Sequence, residues 1–374
     1  MDLSVDFLGI KLKNPIIIAS CPISESIDRI YNAYLDGAAA IILKTCTNEV
    51  EKNGSSRRCM LNEKGMWLTS SFSSEIMDID KAIALYEEAN NIVDIPLIPS
   101  ITSKSKDFDI WLDMCKRFDK LGVIAIQLDF FYIKDIPLIK YENYVTDLIL
   151  YLKERLNCIL LPKINFNMVK EIIYNVFNRT NIKYVSLLDS IKMPTPLAIF
   201  NNGHTIKNVE NNRYASLYGS WQYPITVNYT YDFYLNNFNV CAGGGINNYK
   251  NVLELLCYGA NAVQIATYFL LEGTKKIKNM LDDIEHFLKE NNYNSLSKFI
   301  LSNRLFLNGK KKSIPAKITF DSNKCILCKK CIDQTFCDVF SIENNKIIIN
   351  YKNCIGCSLC TYLCSTKALD IVKL

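Results

Sequence analysis

The stretch NVCAGGGINNYKNVLELLCYGANAVQIAT, Asn239 to Thr267, decides the fold. Asn239–Gly244 reads as a short buried strand, Lys250–Tyr258 as a helix and Ala262–Thr267 as a second buried strand. Strand, helix and strand in such close succession make a βαβ unit, whose two strands lie parallel. Gly243-Gly244-Gly245 closes the first strand and leads into the helix. Glycines there let the backbone come close to a phosphate held on N–H groups at a helix start, although a tight turn would use them equally well.

Working outward, six more short apolar runs have the same character. They are Ile16–Ser20, Ala39–Thr45, Ile95–Ile101, Val123–Phe130, Cys158–Ile164 and Tyr184–Ser190. Helical patterns lie between most of them, at Lys81–Asn91, Phe108–Leu121, Tyr144–Leu156 and Met168–Arg179. Eight near-continuous apolar strands alternating with helices predict an α/β fold, a (β/α)8 TIM barrel. An open doubly wound sheet is the alternative, and it rarely needs so many units. The expected organisation is a barrel over residues 1–300, a linker over 301–316 and a small α+β domain over 317–374.

A barrel carries its functional residues at the C-terminal ends of its strands. Those ends read Ala19-Ser20, Lys44-Thr45, Ser100, Gln127-Leu128-Asp129, Lys163, Asp189-Ser190, Gly243-Gly244-Gly245 and Ala266-Thr267. Lysines ending two apolar strands call for an anion or acceptor, because a desolvated ammonium is costly alone. Two long connections, from Cys46 to Asp94 and from Ile191 to Asn237, leave predicted strand ends and read as lids or substrate loops.

The net charge of +5 over 374 residues, without a long basic block, argues against nucleic acid as the main partner. Lys310-Lys311-Lys312 reads as a solvated linker face. The opening MDLSVDFLGIKLKNP lacks a signal-peptide pattern, and no run is long and apolar enough for a membrane span, so a cytoplasmic location is expected. Fifteen cysteines then point to metal ligation or buried thiols rather than disulfides.

Eight of the fifteen crowd into one segment: Cys325-x2-Cys328-x2-Cys331-x5-Cys337, then Cys354-x2-Cys357-x2-Cys360-x3-Cys364. Two-residue gaps let successive thiolates curl round one cubane, and two-cluster ferredoxins take each fourth ligand from the other motif. That pattern assigns Cys325, Cys328, Cys331 and Cys364 to one 4Fe–4S cluster, and Cys354, Cys357, Cys360 and Cys337 to a second. Zinc is the rival, but it favours two close pairs over two triplets with a distant fourth ligand. Asp338–Ile342 and Lys346–Ile349 read as the short strands of a ferredoxin-like domain. The first motif has two extra residues before Cys337, and Asp338 and Ser365 stand where bacterial motifs have proline.

The first part of the chain resembles the dihydroorotate/dihydropyrimidine dehydrogenase family of FMN barrels, over roughly residues 3 to 290. The resemblance rests on Leu8-Gly9 with Asn14-Pro15-Ile16-Ile17-Ile18-Ala19-Ser20, on Leu43-Lys44-Thr45, on Pro96-Leu97-Ile98-Pro99-Ser100-Ile101, and on Lys163. It is strongest at Gly243-Gly244-Gly245-Ile246 and at Gly259 to Thr267. A two-cluster tail resembles the dihydropyrimidine dehydrogenase branch. The resemblance implies FMN as cofactor, with Ala19 and Ser20 along the isoalloxazine ring, Lys44 and Lys163 at its polar edge, and Thr45 among the cofactor-binding residues. It likewise implies a phosphate cradle of Gly219, Gly244, Gly245, Ala266 and Thr267.

The substrate residues depart from the family. Where the family has Asn-x-Ser-Cys-Pro, this chain has Asp129-Phe130-Phe131-Tyr132-Ile133, and Asp189-Ser190 replaces an Asn-Thr pair. Amides donate and accept, whereas carboxylates only accept. A pocket bounded by Asp129, Asp189 and Ser190 should disfavour the carboxylate of dihydroorotate. Tyr132 aligns with the family's proton-transferring residue and becomes the candidate proton donor, with Asp129 second.

The expected function is an iron–sulfur flavoprotein oxidoreductase that reduces or oxidises a C–C or C–N double bond of a small molecule other than the usual pyrimidine. No GxGxxG strand–turn–helix is present, so electrons are expected from a partner, an NAD(P)H/FAD subunit or a soluble ferredoxin. A homodimer and an anaerobic setting fit the same picture. The alternatives are a genuine dihydropyrimidine or dihydroorotate dehydrogenase subunit, and a non-catalytic electron-transfer subunit. His204 and His286 do not help to choose.

Overall fold

Aliphatic runs buried on both faces form the centre of the larger unit. A computed structural model of the chain describes residues 1–49, 60–63, 66–69, 76–130, 136, 138–166, 168–188, 190–194, 214–308, 317–335 and 337–372. The chain divides into two compact units, Met1–Leu305 and Phe306–Leu374.

In the first unit eight parallel strands occur in chain order. They are β1 (Ile16–Ile18), β2 (Ala40–Ile42, resuming at Cys46–Thr47), β3 (Leu97–Ile98, resuming at Ser100–Ile101), β4 (Ala125–Asp129), β5 (Ile159–Lys163), β6 (Tyr184–Ser186), β7 (Asn239–Gly243) and β8 (Ala260–Ile265). Each pairs with the next, and β8 pairs back with β1 through Val263–Ile265 against Ile16–Ile18. The result is a curled parallel sheet consistent with a (β/α)8 barrel. The strands fall where the hydrophobic runs predict them, with one difference. The sixth run stops pairing in the barrel at Ser186, and Ile191–Pro194 belongs to another sheet.

Helices follow from local signals. Asp78, Asp107 and Asn248 accept backbone N–H bonds at the starts of Ile79–Asn90, Phe108–Asp119 and Tyr249–Cys257. Each cap is worth about 1 kcal/mol. The last of these helices passes into β8 through Gly259, whose φ of +109° and contact with the Tyr234 ring exclude any side chain.

One end of the curled sheet is closed. The hairpin of Val5–Phe7 with Ile10–Leu12 places Phe7, Leu8 and Leu12 in one apolar cluster with Ile17, Ile42, Ile98, Leu161 and Ala262 from the strands. Leu8 and Gly9 turn it with φ of +54° and +73°. That closure lies at the N-terminal ends of the strands and leaves the C-terminal ends as the open face.

The two long connections meet there. Met60–Glu63 and Met66–Thr69 come from the first, and Ile191–Pro194 and Tyr214–Tyr218 from the second. They join as one four-stranded antiparallel sheet. Helix Leu296–Asn308 runs through residues 301–308, where a linker was expected to begin.

The second unit contains two antiparallel pairs, Lys317–Phe320 with Leu369–Val372 and Phe340–Glu343 with Lys346–Ile349. Its small core combines Ile318, Val339, Phe340 and Leu369 with five of the clustered cysteines. Among the described residues no helix is long and apolar enough to cross a membrane.

Candidate functional site

Alternation along the strands sends one layer of side chains into the barrel just below its open face. That layer is polar and nearly sealed: Thr45, Ser100, Gln127, Ser186 and Gln264 are all at most 5% exposed. Ser20 stands at its rim, half-buried, and hydrogen-bonds Thr45 Oγ1 at 3.0 Å. Ala19 donates its N–H to Ile265 O, which locks the end of β1 to β8.

The lysines predicted at strand ends lie on this face. Lys44 N donates to Ser24 O, and Lys163 Nζ stands 3.5 Å from Asp129 Oδ2. Both side chains of that ion pair are shielded, at 11% and 3% exposure. Their strands place them side by side, since Asp129 and Lys163 are register partners of β4 and β5. Asp129 also presents its backbone O to Thr102 Oγ1 at 2.7 Å. Burial, and then the charge of Asp129, push the Tyr141 hydroxyl well above its ordinary range, so Tyr141 on helix Leu138–Lys153 is a protonated neighbour of that carboxylate. Nothing in the sequence pattern marked Tyr141.

The glycine positions gather at the end of β7. Gly244 and Gly245 have φ of +104° and +82°, and added Cβ atoms would stand 2.7 Å from Gln222 Nε2 and 2.4 Å from Tyr223 N. The start of helix Tyr223–Leu235 therefore packs directly on the glycine backbone. Thr226 Oγ1 fastens it by donating toward Gly243 O and Gly244 O at 3.0 and 2.8 Å. Gly219, with φ of +123°, turns the chain into this helix through Ser220–Gln222. Trp221 follows two residues later, and its indole N–H is buried with no hydrogen-bond partner among the described residues. Ala266 and Thr267 open helix Thr267–Glu272 at the end of β8. Ser190 immediately precedes Ile191–Pro194, while Tyr132, Asp189 and His204 lie outside the described residues.

In the second unit the two cysteine loops repeat one backbone. Leu327 and Lys329, which flank Cys328, have φ of +54° and +62°. Gly356 and Ser358, which flank Cys357, have φ of +73° and +65°. Left-handed backbone costs a residue with a side chain about 1 kcal/mol or more, so its recurrence at matching positions marks a shape the loops must keep.

Each loop's third cysteine has the same kind of company. Burial raises the Cys331 thiol, and its neighbours Cys325, Cys328 and Cys364 add to the rise. Burial pushes Cys360 up to about 11, with Cys357, Cys354 and Cys337 adding. The fourth member of each set thus comes from the other motif. Cys325, Cys328, Cys331 and Cys364 line one cavity with Phe320 and Leu369. Burial raises Cys364, but hydrogen bonds from the Thr366 hydroxyl and from the Leu369, Ala368 and Thr366 backbone outweigh it and lower the thiol. Among the described residues no group of three His, Cys, Asp or Glu side chains is placed to hold a single metal ion.

Comparison with known proteins gives this geometry a family. The dihydroorotate dehydrogenase profile matches residues 2–288. The chain is 24% identical over 307 residues to the dihydroorotate dehydrogenase B (NAD(+)) catalytic subunit of Thermoplasma acidophilum, covering 80% of this chain and 98% of the relative. It is 23% identical over 308 residues to the protein of the same name from Pyrococcus abyssi, with the same coverage. A short match, 35% over 65 residues and 16% of this chain, is to the archaeal-type glutamate synthase (NADPH) of Dehalococcoides mccartyi, of which it covers 13%. With more than half its length matched, the chain belongs to the dihydroorotate dehydrogenase family.

Proposed function

We propose that this dihydroorotate dehydrogenase-like flavoprotein oxidoreductase carries FMN on the open face of its barrel and two 4Fe–4S clusters in its C-terminal unit. The observation that carries the proposal is the crossed grouping of the eight cysteines on two loops with one repeated backbone. Two-cluster ferredoxins share this cross-ligation. Ala368 N donates to Cys364 Sγ at 3.2 Å, the kind of amide-to-sulfur hydrogen bond that tunes a cluster.

The barrel face fits FMN on its own evidence. Gly244 and Gly245 hold left-handed backbone against the start of helix Tyr223–Leu235, and the Trp221 N–H is a buried donor in need of an acceptor. FMN, when bound, supplies hydride transfer to or from carbon, and 4Fe–4S clusters supply single-electron transfer. Gly219, Gly244, Gly245 and Thr267 receive the phosphate on backbone N–H groups. Lys44 and Lys163 stabilise negative charge at the ring's polar edge. Asp129 holds Lys163 in place and offsets part of its charge. A carboxylate in that role orients the ammonium, which leaves the Tyr132 phenol as the proton donor to substrate.

The substrate we propose is a small molecule with a C–C or C–N double bond, rich in hydrogen-bond donors and without a carboxylate. Asp129 and Asp189 accept but do not donate, so they suit donor groups and repel anions. Because Lys163 balances Asp129, a neutral donor suits the pocket as well as a cation. Electrons come from a partner protein through the clusters. A second reading is favoured by the family match itself: the chain is a dihydroorotate dehydrogenase catalytic subunit with an altered pocket. Anaerobically purified protein separates the two, its reduced form mixed with candidate oxidants and its oxidised form with dihydroorotate. Flavin reoxidation by a donor-rich unsaturated compound, with none of the family pyrimidines active, is the expected result. Turnover of dihydroorotate would select the second reading.

A further inference from the structure

We infer that Ser20 meets its ligand as a hydrogen-bond donor, and that Gln264 and Gln127, buried beneath it, favour that role as positioning residues. The inference rests on the FMN reading above and adds a constraint on the ligand atom that faces Ser20.

One group at the bottom of this belt cannot change its role. Leu187 O is a carbonyl and only accepts, and one end of the Gln264 amide lies 2.6 Å from it. That end must be the nitrogen. Its second N–H points at Ser186 Oγ, 2.7 Å away, and an amide nitrogen accepts nothing, so Ser186 is the acceptor. The Ser186 proton then goes to Gln127 Oε1 at 2.8 Å. This orients the Gln127 amide and leaves Nε2 to donate to Ser100 Oγ at 2.9 Å. The next two contacts can run either way, and the direction that gives the buried Ser100 proton an acceptor has Ser100 donating to Thr45 Oγ1 at 2.9 Å and Thr45 donating to Ser20 Oγ at 3.0 Å. Ser20 Oγ also accepts the Thr45 N–H at 2.9 Å.

Both acceptor positions of Ser20 are now engaged from below. Its remaining hydroxyl proton points away from the chain, to the open face at the end of β1. Ser100, Gln127 and Ser186 are wholly buried, at 0% exposure, so water cannot reset the direction. A ligand that offered Ser20 a donor would reverse the Thr45 and Ser100 links and leave the buried Ser100 proton without its acceptor. The face over Ser20 therefore selects an acceptor, such as a flavin carbonyl or an unprotonated ring nitrogen.

The test is a double-mutant cycle on full-length apoprotein titrated with FMN, with the flavin absorption maximum of each complex as a second readout. Ser20→Ala is expected to weaken FMN binding about tenfold, the effect of losing one hydrogen bond. Ser100→Ala does not reach the open face, yet it cuts the chain that aims Ser20. It is expected to weaken binding about threefold and shift the absorption maximum when Ser20 is present, and to add nothing in the Ser20→Ala background. Gln127→Met cuts the next link and serves if Ser100→Ala does not fold. If the two substitutions multiply, or if cutting the chain leaves affinity and spectrum unchanged, the inference is wrong while the FMN reading stands. A wild-type chain that binds no FMN overturns the FMN reading, and the inference with it.

Discussion

The barrel face and the cysteine loops are built in opposite ways. The loops are local: in each, three thiols fall within seven residues, and the backbone that presents them repeats at Leu327/Lys329 and Gly356/Ser358. The barrel face is assembled from eight strands, and its members meet only after the sheet has curled. Ser186 and Gln264 are 78 residues apart and Thr45 and Ser100 are 55 apart, yet they form one buried chain. A local site tolerates change elsewhere in the fold, whereas a distributed one depends on every strand end. Substitutions in the two regions should therefore fail differently.

The largest effect is expected in the loops. Cys328→Ser should remove one cluster, taking iron from about eight to about four per chain, while FMN stays bound. Iron and flavin analysis of anaerobic protein checks this. Equal loss of flavin would mean that the two regions are not separable. Next comes the ion pair at the barrel face. Lys163→Met leaves Asp129 in a shielded site without its ammonium and should cost about 3 kcal/mol in urea unfolding, with Asp129→Asn restoring part of it. An unchanged unfolding midpoint would show the pair to be incidental.

Gly245→Ala should cost about 2 kcal/mol and weaken FMN binding, because the new Cβ meets Tyr223 N and the φ of +82° strains any side chain. FMN titration and thermal unfolding measure both parts. The smallest effect is titration of the barrel's buried thiols. Cys46 and Cys158 are raised from 9.0 to about 12, chiefly by burial. The unfolded thiols ionise first, so this stability is intact below about pH 9 and falls as pH rises from 9 toward 12. Each thiol contributes about 1 kcal/mol per pH unit in that window. Unfolding measured from pH 8 to 10 should show the fall, and Cys46→Ala should make it shallower.

The same contrast explains what could be read from the sequence. Strand positions were legible because full burial writes itself as unbroken aliphatic runs such as Ile16-Ile17-Ile18. The gathering of eight cysteines into two close groups was legible from spacing alone. The glycines at Gly244 and Gly245 were legible because only that residue takes their backbone. The belt of Ser100, Gln127, Ser186 and Gln264 was not, since a single polar residue in an apolar run carries no sign of its partner. The Asp129–Lys163 pair was seen as two separate strand ends, and only the register of β4 against β5 makes it a pair. The shared sheet of the two long connections was hidden too, because its halves lie in segments read as independent lids.

One measurement tests the central claim most directly: an anaerobic reductive titration of the purified full-length chain, followed by visible absorption and electron paramagnetic resonance. The account predicts uptake of about four electrons per chain, two by FMN and one by each of two 4Fe–4S clusters. Uptake of only two electrons, with bleaching of flavin alone and no iron–sulfur signal, would contradict it.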